Sequence, residues 1–441
     1  MKIAVVGGGI AGLACAWMLS RRYAVTLFER HAQPGFVASS VAVPLSEGSP
    51  AGTTSVRVDV PLRVFYPGYY PTLMRLYAAL GVATEPVSYA TTFMGAAGQP
   101  YFRWRNLRLG GFSMPYVLPR DVAGPRARRI VQGALRFNHQ SRAALARGEL
   151  AGRSLRDFLA AGAFPADYVQ GLLLPALATI ATCTTEDALD YPADVVAGYM
   201  AAGLARQSVR RAVLGADAVA VRLLAGITQV VCSAGVQGLH HARARDGRPA
   251  VRVMREGGAQ DFDHVVLATQ ANQALALWQD ASAPDRAALQ GFAYRPLQVV
   301  MHTDASFMPA QPRDWSPVNA RVADTLDRPE TTIWVNAVQP ALRHAPPVFQ
   351  TVHPQRQPRE ALVIGRAQFE RPLVNAQSQR ALAALQVLQA QPGRRVWLCG
   401  SYAHSGVPLL ESAVRSATEV ARAIEAGAGV RQPGLVAVSS A

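Results

Sequence analysis

The chain has 441 residues, half of them hydrophobic and 17% charged, which predicts two or three domains around a large core and excludes a disordered protein. The formal charge is +15, and Lys2 is the only lysine among the 44 basic residues. So large an arginine excess favours anionic partners such as acyl carriers, phospholipid headgroups or phosphorylated substrates, while no nucleic-acid-binding motif accompanies it, so nucleic acid is not an expected partner.

Residues 2–30 carry the strongest signal. An apolar strand (2–6) runs into Gly7-Gly8-Gly9-Ile10-Ala11-Gly12, followed by a helix over about 13–21 and a second strand over 23–28 that closes on Glu29-Arg30. This is a βαβ start suited to a dinucleotide. Gly7 permits the tight turn, Gly9 lets backbone approach a pyrophosphate, and Gly12 lets helix and strand pack closely. The helix N-terminus presents unpaired N–H groups and a partial positive charge to the phosphates, and Ile10 and Ala11 in the turn are further cofactor-binding candidates. Glu29 stands where a carboxylate accepts hydrogen bonds from a ribose.

The stretch 31–55, rich in Pro, Gly and Ser, reads as loop, and 56–60 as a strand. An aromatic turn over 65–71 (Phe65, Tyr66, Tyr69, Tyr70) precedes a helix at about 72–80 stopped by Gly81. Residues 85–109 alternate and carry aromatics, predicting a hairpin or meander. From 119 to 204 the pattern is helical. Within it, 126–147 is basic and amphipathic, either a solvated face or a patch for a membrane surface or anionic carrier. A helix to about Leu224, strands near 236–239 and 250–253, and a nearly unbroken apolar strand over 262–269 follow, the last suited to the centre of a parallel sheet. Further strands are expected at 296–303 and 331–338, with a proline-rich loop over 344–360. The final unit is a strand at 395–402 and a helix at 410–424, and residues 427–441 are expected to be disordered.

Cys15, Cys183, Cys232 and Cys399 show neither CxxC nor metal-like spacing, so reduced core cysteines in a cytoplasmic protein are expected. The N-terminus superficially resembles a secretory signal, but cleavage there would destroy the glycine turn. No run of about 18 uncharged apolar residues suggests a membrane span.

Taken together, 7–29, 262–269 and 396–424 resemble the flavin-containing amine oxidoreductase and carotenoid-desaturase superfamily. Val58-Asp59, Tyr70-Pro71-Thr72-Leu73, Leu80-Gly81-Val82, Leu172-Leu173-Leu174-Pro175, Ala188-Leu189-Asp190-Tyr191-Pro192, Ile333-Trp334-Val335-Asn336 and Gly400-Ser401-Tyr402 resemble its bacterial "NAD/FAD-binding protein" branch, often associated with fatty-acid modification. The resemblance implies an α/β fold: a Rossmann-like FAD-binding domain of glutathione-reductase type, discontinuous over 1–65, 205–290 and 391–426. An α+β substrate domain over 66–204 and 291–390 would carry a mixed sheet and a helical part (119–204). It implies FAD as cofactor. Gly7, Gly9 and Gly12 would line the pyrophosphate and Glu29 the adenosine ribose, with Arg30 a further cofactor-binding candidate. Val236 would meet adenine, Ala268 and Thr269 would lie beside the cofactor, and Gly400, Ser401, Leu410 and Glu411 would form the C-terminal cofactor motif. The chain departs from the family at Pro34-Gly35-Phe36-Val37, Gly215-Ala216-Asp217 and Gly400-Ser401.

The expected activity is hydride transfer from a largely apolar substrate, acyl- or polyene-like, to flavin N5. Tyr66, Tyr69, Tyr70 and Trp334 are candidate pocket walls, and Tyr402 and His404 candidate active-site groups. The alternatives are a flavin-dependent double-bond isomerase, an amine oxidase lacking the lysine that many such enzymes place at N5, and a non-catalytic FAD-bound scaffold. A small-molecule or acyl substrate, presented on an anionic carrier or lipid, is the expected partner.

Overall fold

The computed structural model describes residues 1–35, 40–45, 55–109, 112–202, 208–233, 235–323 and 327–428. Phe36 and Val37, the expected boundary at 204/205 and the expected tail from 429 onward lie outside them.

The first sheet grows from β1 (Lys2–Val6), whose Ile3, Ala4 and Val5 are fully buried because parallel neighbours and covering helices take both faces. After the glycine turn, α1 (Ile10–Ser20) crosses to β2 (Ala24–Phe28). The order across this five-stranded parallel sheet is Gln229–Val231, β2, β1, His264–Leu267, Val396–Leu398. The strand expected over 262–269 is shorter, since Phe262 closes a separate antiparallel sheet (Val236–Arg243, Pro249–Arg255, Gly258–Phe262) and packs edge-on against Phe28 at 5.9 Å. α1 starts three residues earlier than its pattern suggested, with Gly9 as N-cap in extended conformation (φ −68°, ψ 177°).

The second large sheet is mixed and has eight strands. In order they are Val363–Pro372, Tyr294–His302, Phe349–Val352, Glu330–Trp334, Val318–Arg321, Thr91–Met94, Pro100–Leu109 and Phe112–Tyr116. All neighbours are antiparallel except Val318–Arg321 with Thr91–Met94. Two segments read as loop contain strands: β3 (Ser40–Pro44) pairs with β4 (Ser55–Asp59), and Phe349–Val352 lies inside the proline-rich stretch. In both cases cross-strand pairing outweighs local turn composition. The helical part runs from Pro125–Ala146 to Ala193–Ala201, with a π turn at Val169–Leu173 leading into Leu174–Ala181. α2 (Pro71–Ala79) and the C-terminal helix Leu410–Gly427 pack together, and the latter also covers α1. That last helix extends three residues beyond its expected end.

Among the described residues no helix is long and apolar enough to cross a membrane. Within the same residues no cluster of three or more His, Cys, Asp or Glu could hold a metal ion.

Candidate functional site

The two sheets meet over one cavity of about 1520 Å³, larger than the roughly 300–1,000 Å³ of pockets for a single drug-sized ligand. Its floor at one end is the glycine turn. Gly7 has φ +104°, and a Cβ there would lie 2.8 Å from the Ala268 carbonyl oxygen. Gly12 sits beneath, where a Cβ would come within 1.9 Å of the Gly7 carbonyl oxygen. Gly9 is the opposite case: a Cβ would meet no protein atom within 4 Å and would enter the cavity itself. No side chain caps α1 and no acid occupies its first turn, so the N–H groups beginning at Ile10 and Ala11 face the cavity as a ready anion site.

Glu29, Arg30 and Val236 line the cavity beside this turn. The buried Glu29 carboxylate accepts from Gly8 N–H (2.8 Å) and His31 N–H (2.9 Å), and its Oε1 lies 2.8 Å from His31 Nδ1. A carboxylate offers about four acceptor sites, so hydroxyl groups of a ribose can still be taken. Ala268, Thr269, Gly400, Ser401 and Leu410 line the other side of the turn. Leu410 opens the C-terminal helix, a second N-terminus without a side-chain cap. The residues present thus fit a dinucleotide: two uncapped helix starts, an acid beside the first, and a cradle that a single methyl group at Gly9 would fill.

Other expected site residues are placed differently. Glu411 does not line the cavity. It is buried and caps α2, accepting from Thr72 N–H (3.0 and 3.1 Å) and Leu73 N–H (2.9 Å). His404 also points elsewhere, its Nε2 3.2 Å from Glu419 and its Nδ1 2.8 Å from the Ser405 carbonyl oxygen. Tyr402 does border the cavity, ring against Phe292 at 4.9 Å, and burial holds its phenol well above the usual range. Of the four expected wall aromatics only Tyr70 lines the cavity. The Tyr66 hydroxyl donates to the Tyr199 carbonyl oxygen (3.1 Å), and the Tyr69 hydroxyl accepts from Val407 N–H (2.8 Å). Trp334 stacks edge-on with Trp315 at 5.5 Å. These rings are used in packing because the turn over 65–70 folds back on itself, Tyr69 and Tyr70 both donating to the Tyr66 carbonyl oxygen.

The far end was not visible in the sequence. Leu62, Arg63 and Val64 come from the segment after β4, and Leu297 and Gln298 from one strand of the large sheet. Phe369 and Arg371 come from its edge strand Val363–Pro372, while Arg328 precedes the strand Glu330–Trp334 and His353 follows Phe349–Val352. Alternation of polar and apolar residues over 366–370 could have marked that strand; nothing local marks Arg63 or Arg328. Arg328 donates to His353 Nε2 (3.1 Å) and forks onto Asp327 (3.2 and 3.0 Å). Burial and the Arg328 charge press the His353 imidazole down to about 4, so it is neutral at pH 7, with Nε2 accepting and Nδ1 left to carry the proton.

Fold and cradle together define a two-sheet protein that holds a dinucleotide across a parallel sheet, with a second, mixed sheet closing over it. The same two-sheet fold occurs in solved structures that include an oxidase and an isomerase. Residues 5–80 match the family model of the NAD(P)-binding Rossmann-like domain. Over the whole chain the fold is similar to putrescine oxidase bound to putrescine, at 13% identity and TM-score 0.66, covering 97% of this chain and 99% of that one. It is also similar to a CLA-producing fatty acid isomerase from P. acnes, at 14% identity and TM-score 0.63, covering 95% and 98%. One curated relative, the tRNA 5-methylaminomethyl-2-thiouridine biosynthesis bifunctional protein MnmC of Magnetococcus marinus, is 39% identical over 90 residues; these are 20% of this chain and 12% of that protein.

Proposed function

We propose that this protein is an FAD-dependent oxidoreductase that dehydrogenates a largely apolar small molecule. The observation that carries the proposal is the single cavity running from the uncapped start of α1 to a far wall of Leu62, Val64, Tyr70, Leu297 and Phe369. The N–H groups of α1 and of the C-terminal helix would hold the diphosphate, and Glu29 the ribose. When bound, FAD supplies the hydride acceptor.

The chain's own residues orient the substrate and keep water out. The apolar far wall excludes water from the reacting carbon and favours an apolar chain over a hydrated one. Tyr70, Tyr294 and Tyr402 are all held as neutral phenols by burial. Because Arg328 occupies Nε2 of His353, that ring has no lone pair left to act as a base. Lys2, the sole lysine, is exposed at the start of β1. A lysine-held water at the flavin is therefore ruled out by composition, and oxidation of an amine by that route with it.

The test is spectroscopic. The purified protein is expected to carry, or take up, FAD, and to lose its flavin absorbance anaerobically on mixing with acyl substrates. Bleaching by amines alone would overturn the substrate assignment. The likeness to the P. acnes isomerase motivates a second reading, a double-bond shift without net oxidation. Sustained turnover with no external electron acceptor would select it, since a dehydrogenase stops after one flavin equivalent.

A further inference from the structure

The charged groups at the far end of the cavity are unequally compensated. Arg366 forks onto Glu360 (2.9 and 2.5 Å), and Arg328 onto Asp327. Arg63 feels the Asp59 carboxylate, although both oxygens of that acid already accept from Ala216 N–H (3.2 Å each). Arg371 differs from all of them. Its Nε donates to Thr182 Oγ1 (2.9 Å), and among the described residues no carboxylate pairs with it. Its charged neighbours in the ionised state would be the phenols of Tyr191 and Tyr70 and the thiol of Cys183, and burial keeps all three protonated.

The guanidinium is also held in place. Thr182 ends the helix Leu174–Ala181 in the left-handed conformation (φ +54°). A non-glycine residue in that region is strained and persists only where its surroundings dictate it. His353, which supports Arg328, is likewise left-handed (φ +48°). Two of the four described non-glycine residues with positive φ thus stand behind arginines of this one wall. Arg63 is near enough to Arg371 for the two charges to repel, so the protein concentrates positive charge there rather than dispersing it. The lining also carries the apolar Leu62, Val64, Leu297 and Phe369, alongside Gln298, Gln368 and Glu370.

We propose that Arg371, with Arg63 beside it, clamps the carboxylate of an otherwise apolar substrate. This rests on the flavoenzyme reading above and narrows its substrate class. A cationic amine entering the same end meets an uncompensated guanidinium, whereas a carboxylate accepts a charge-assisted pair of hydrogen bonds there. A planar fork matches a carboxylate in a way that a lysine ammonium does not.

The experiment titrates FAD-loaded protein with octanoate, octyl phosphate and octylamine, following the perturbation of the flavin spectrum, for the parent chain, Arg371→Gln and Arg371→Lys. The parent is expected to prefer octanoate. Arg371→Gln should weaken octanoate about 10- to 100-fold, leaving the resting flavin spectrum and FAD content unchanged, and Arg371→Lys should recover part of the loss. Equal or tighter binding of octylamine, tighter binding of octyl phosphate, or an Arg371→Gln variant that binds octanoate like the parent would each overturn the clamp. So would a changed resting spectrum with unchanged acid-over-amine preference, which would assign Arg371 to the flavin. Should Arg371→Gln fail to fold, the lysine variant alone decides between the same outcomes. A protein that takes up no FAD defeats the underlying reading instead, and is recognised before any ligand is added.

Discussion

Adding one methyl group at Gly9 or at Gly12 separates the two tasks of the first turn. At Gly12 the new Cβ would lie 1.9 Å from the Gly7 carbonyl oxygen and 3.0 Å from Ala268 Cβ, so α1 must withdraw from β1 by about 1 Å to restore contact distance. Overpacking of this kind costs about 1–3 kcal/mol, offset by about 1 kcal/mol from replacing a helical glycine. Because the clash is with backbone, Gly12→Ala is expected at the upper end, a net loss of about 2 kcal/mol, together with weakened FAD binding. At Gly9 the backbone is already at φ −68° and the space is open, so Gly9→Ala should leave apo stability within about 0.5 kcal/mol of the parent. Its methyl group fills the phosphate cradle instead. Losing one charge-assisted hydrogen bond, about 1.5–3 kcal/mol, weakens FAD about 10- to 100-fold. At free FAD of about 100 times the parent Kd, binding stabilises the fold by about 2.7 kcal/mol, and a hundredfold weaker variant retains only about 0.4 kcal/mol of that. Denaturant melts with and without FAD measure both quantities. A Gly9→Ala protein that keeps the whole FAD-induced shift, or a Gly12→Ala protein as stable as the parent, would refute the reasoning.

Three further outcomes are expected. Glu411→Ala strips the buried cap from α2 (Thr72 and Leu73 N–H) and should cost about 1–3 kcal/mol in denaturant titration while FAD affinity is retained; lost FAD affinity at unchanged stability would return Glu411 to the cofactor site. His302 and His353 are both held down to about 4, chiefly by burial, against about 6.5 in an unfolded chain. The unfolded state therefore binds more protons between these values, so stability is full above about pH 6.5 and falls as pH drops towards about 4. Melts across that range should show the slope, and His353→Gln should make it shallower. Tyr402→Phe removes a buried hydroxyl that has no hydrogen-bond partner among the described residues and should leave turnover far above the roughly 10²–10⁴-fold loss of a missing acid–base group; a drop of that size in steady-state assays would make the phenol catalytic.

Much of the parallel sheet and its cradle was legible from short-range pattern. The glycines at 7, 9 and 12, the apolar strands on either side and the acid at 29 lie within thirty residues, and each has a local steric or electrostatic reason to be where it is. The strand Val396–Leu398 and the helix after it were readable for the same reason. The aromatic turn misled because sequence shows that Tyr66, Tyr69 and Tyr70 are large and apolar, not which of them face a void. Glu411 misled because its partners, Thr72 and Leu73, are more than 330 residues away.

Sequence by itself therefore determined that a dinucleotide could be held, since that site is built largely from one βαβ unit whose geometry follows from neighbouring residues. What the dinucleotide faces was decided only by tertiary structure. The far wall joins Arg63, Arg328, His353 and Arg371 from four separated segments, with Thr182 behind Arg371, brought together by antiparallel register across the mixed sheet and by a helix end in a left-handed conformation. Such a constellation has no periodicity for a sequence pattern to show. Whether a charge is compensated depends on distances in the folded chain, and those exist only once the sheets have closed over the cavity.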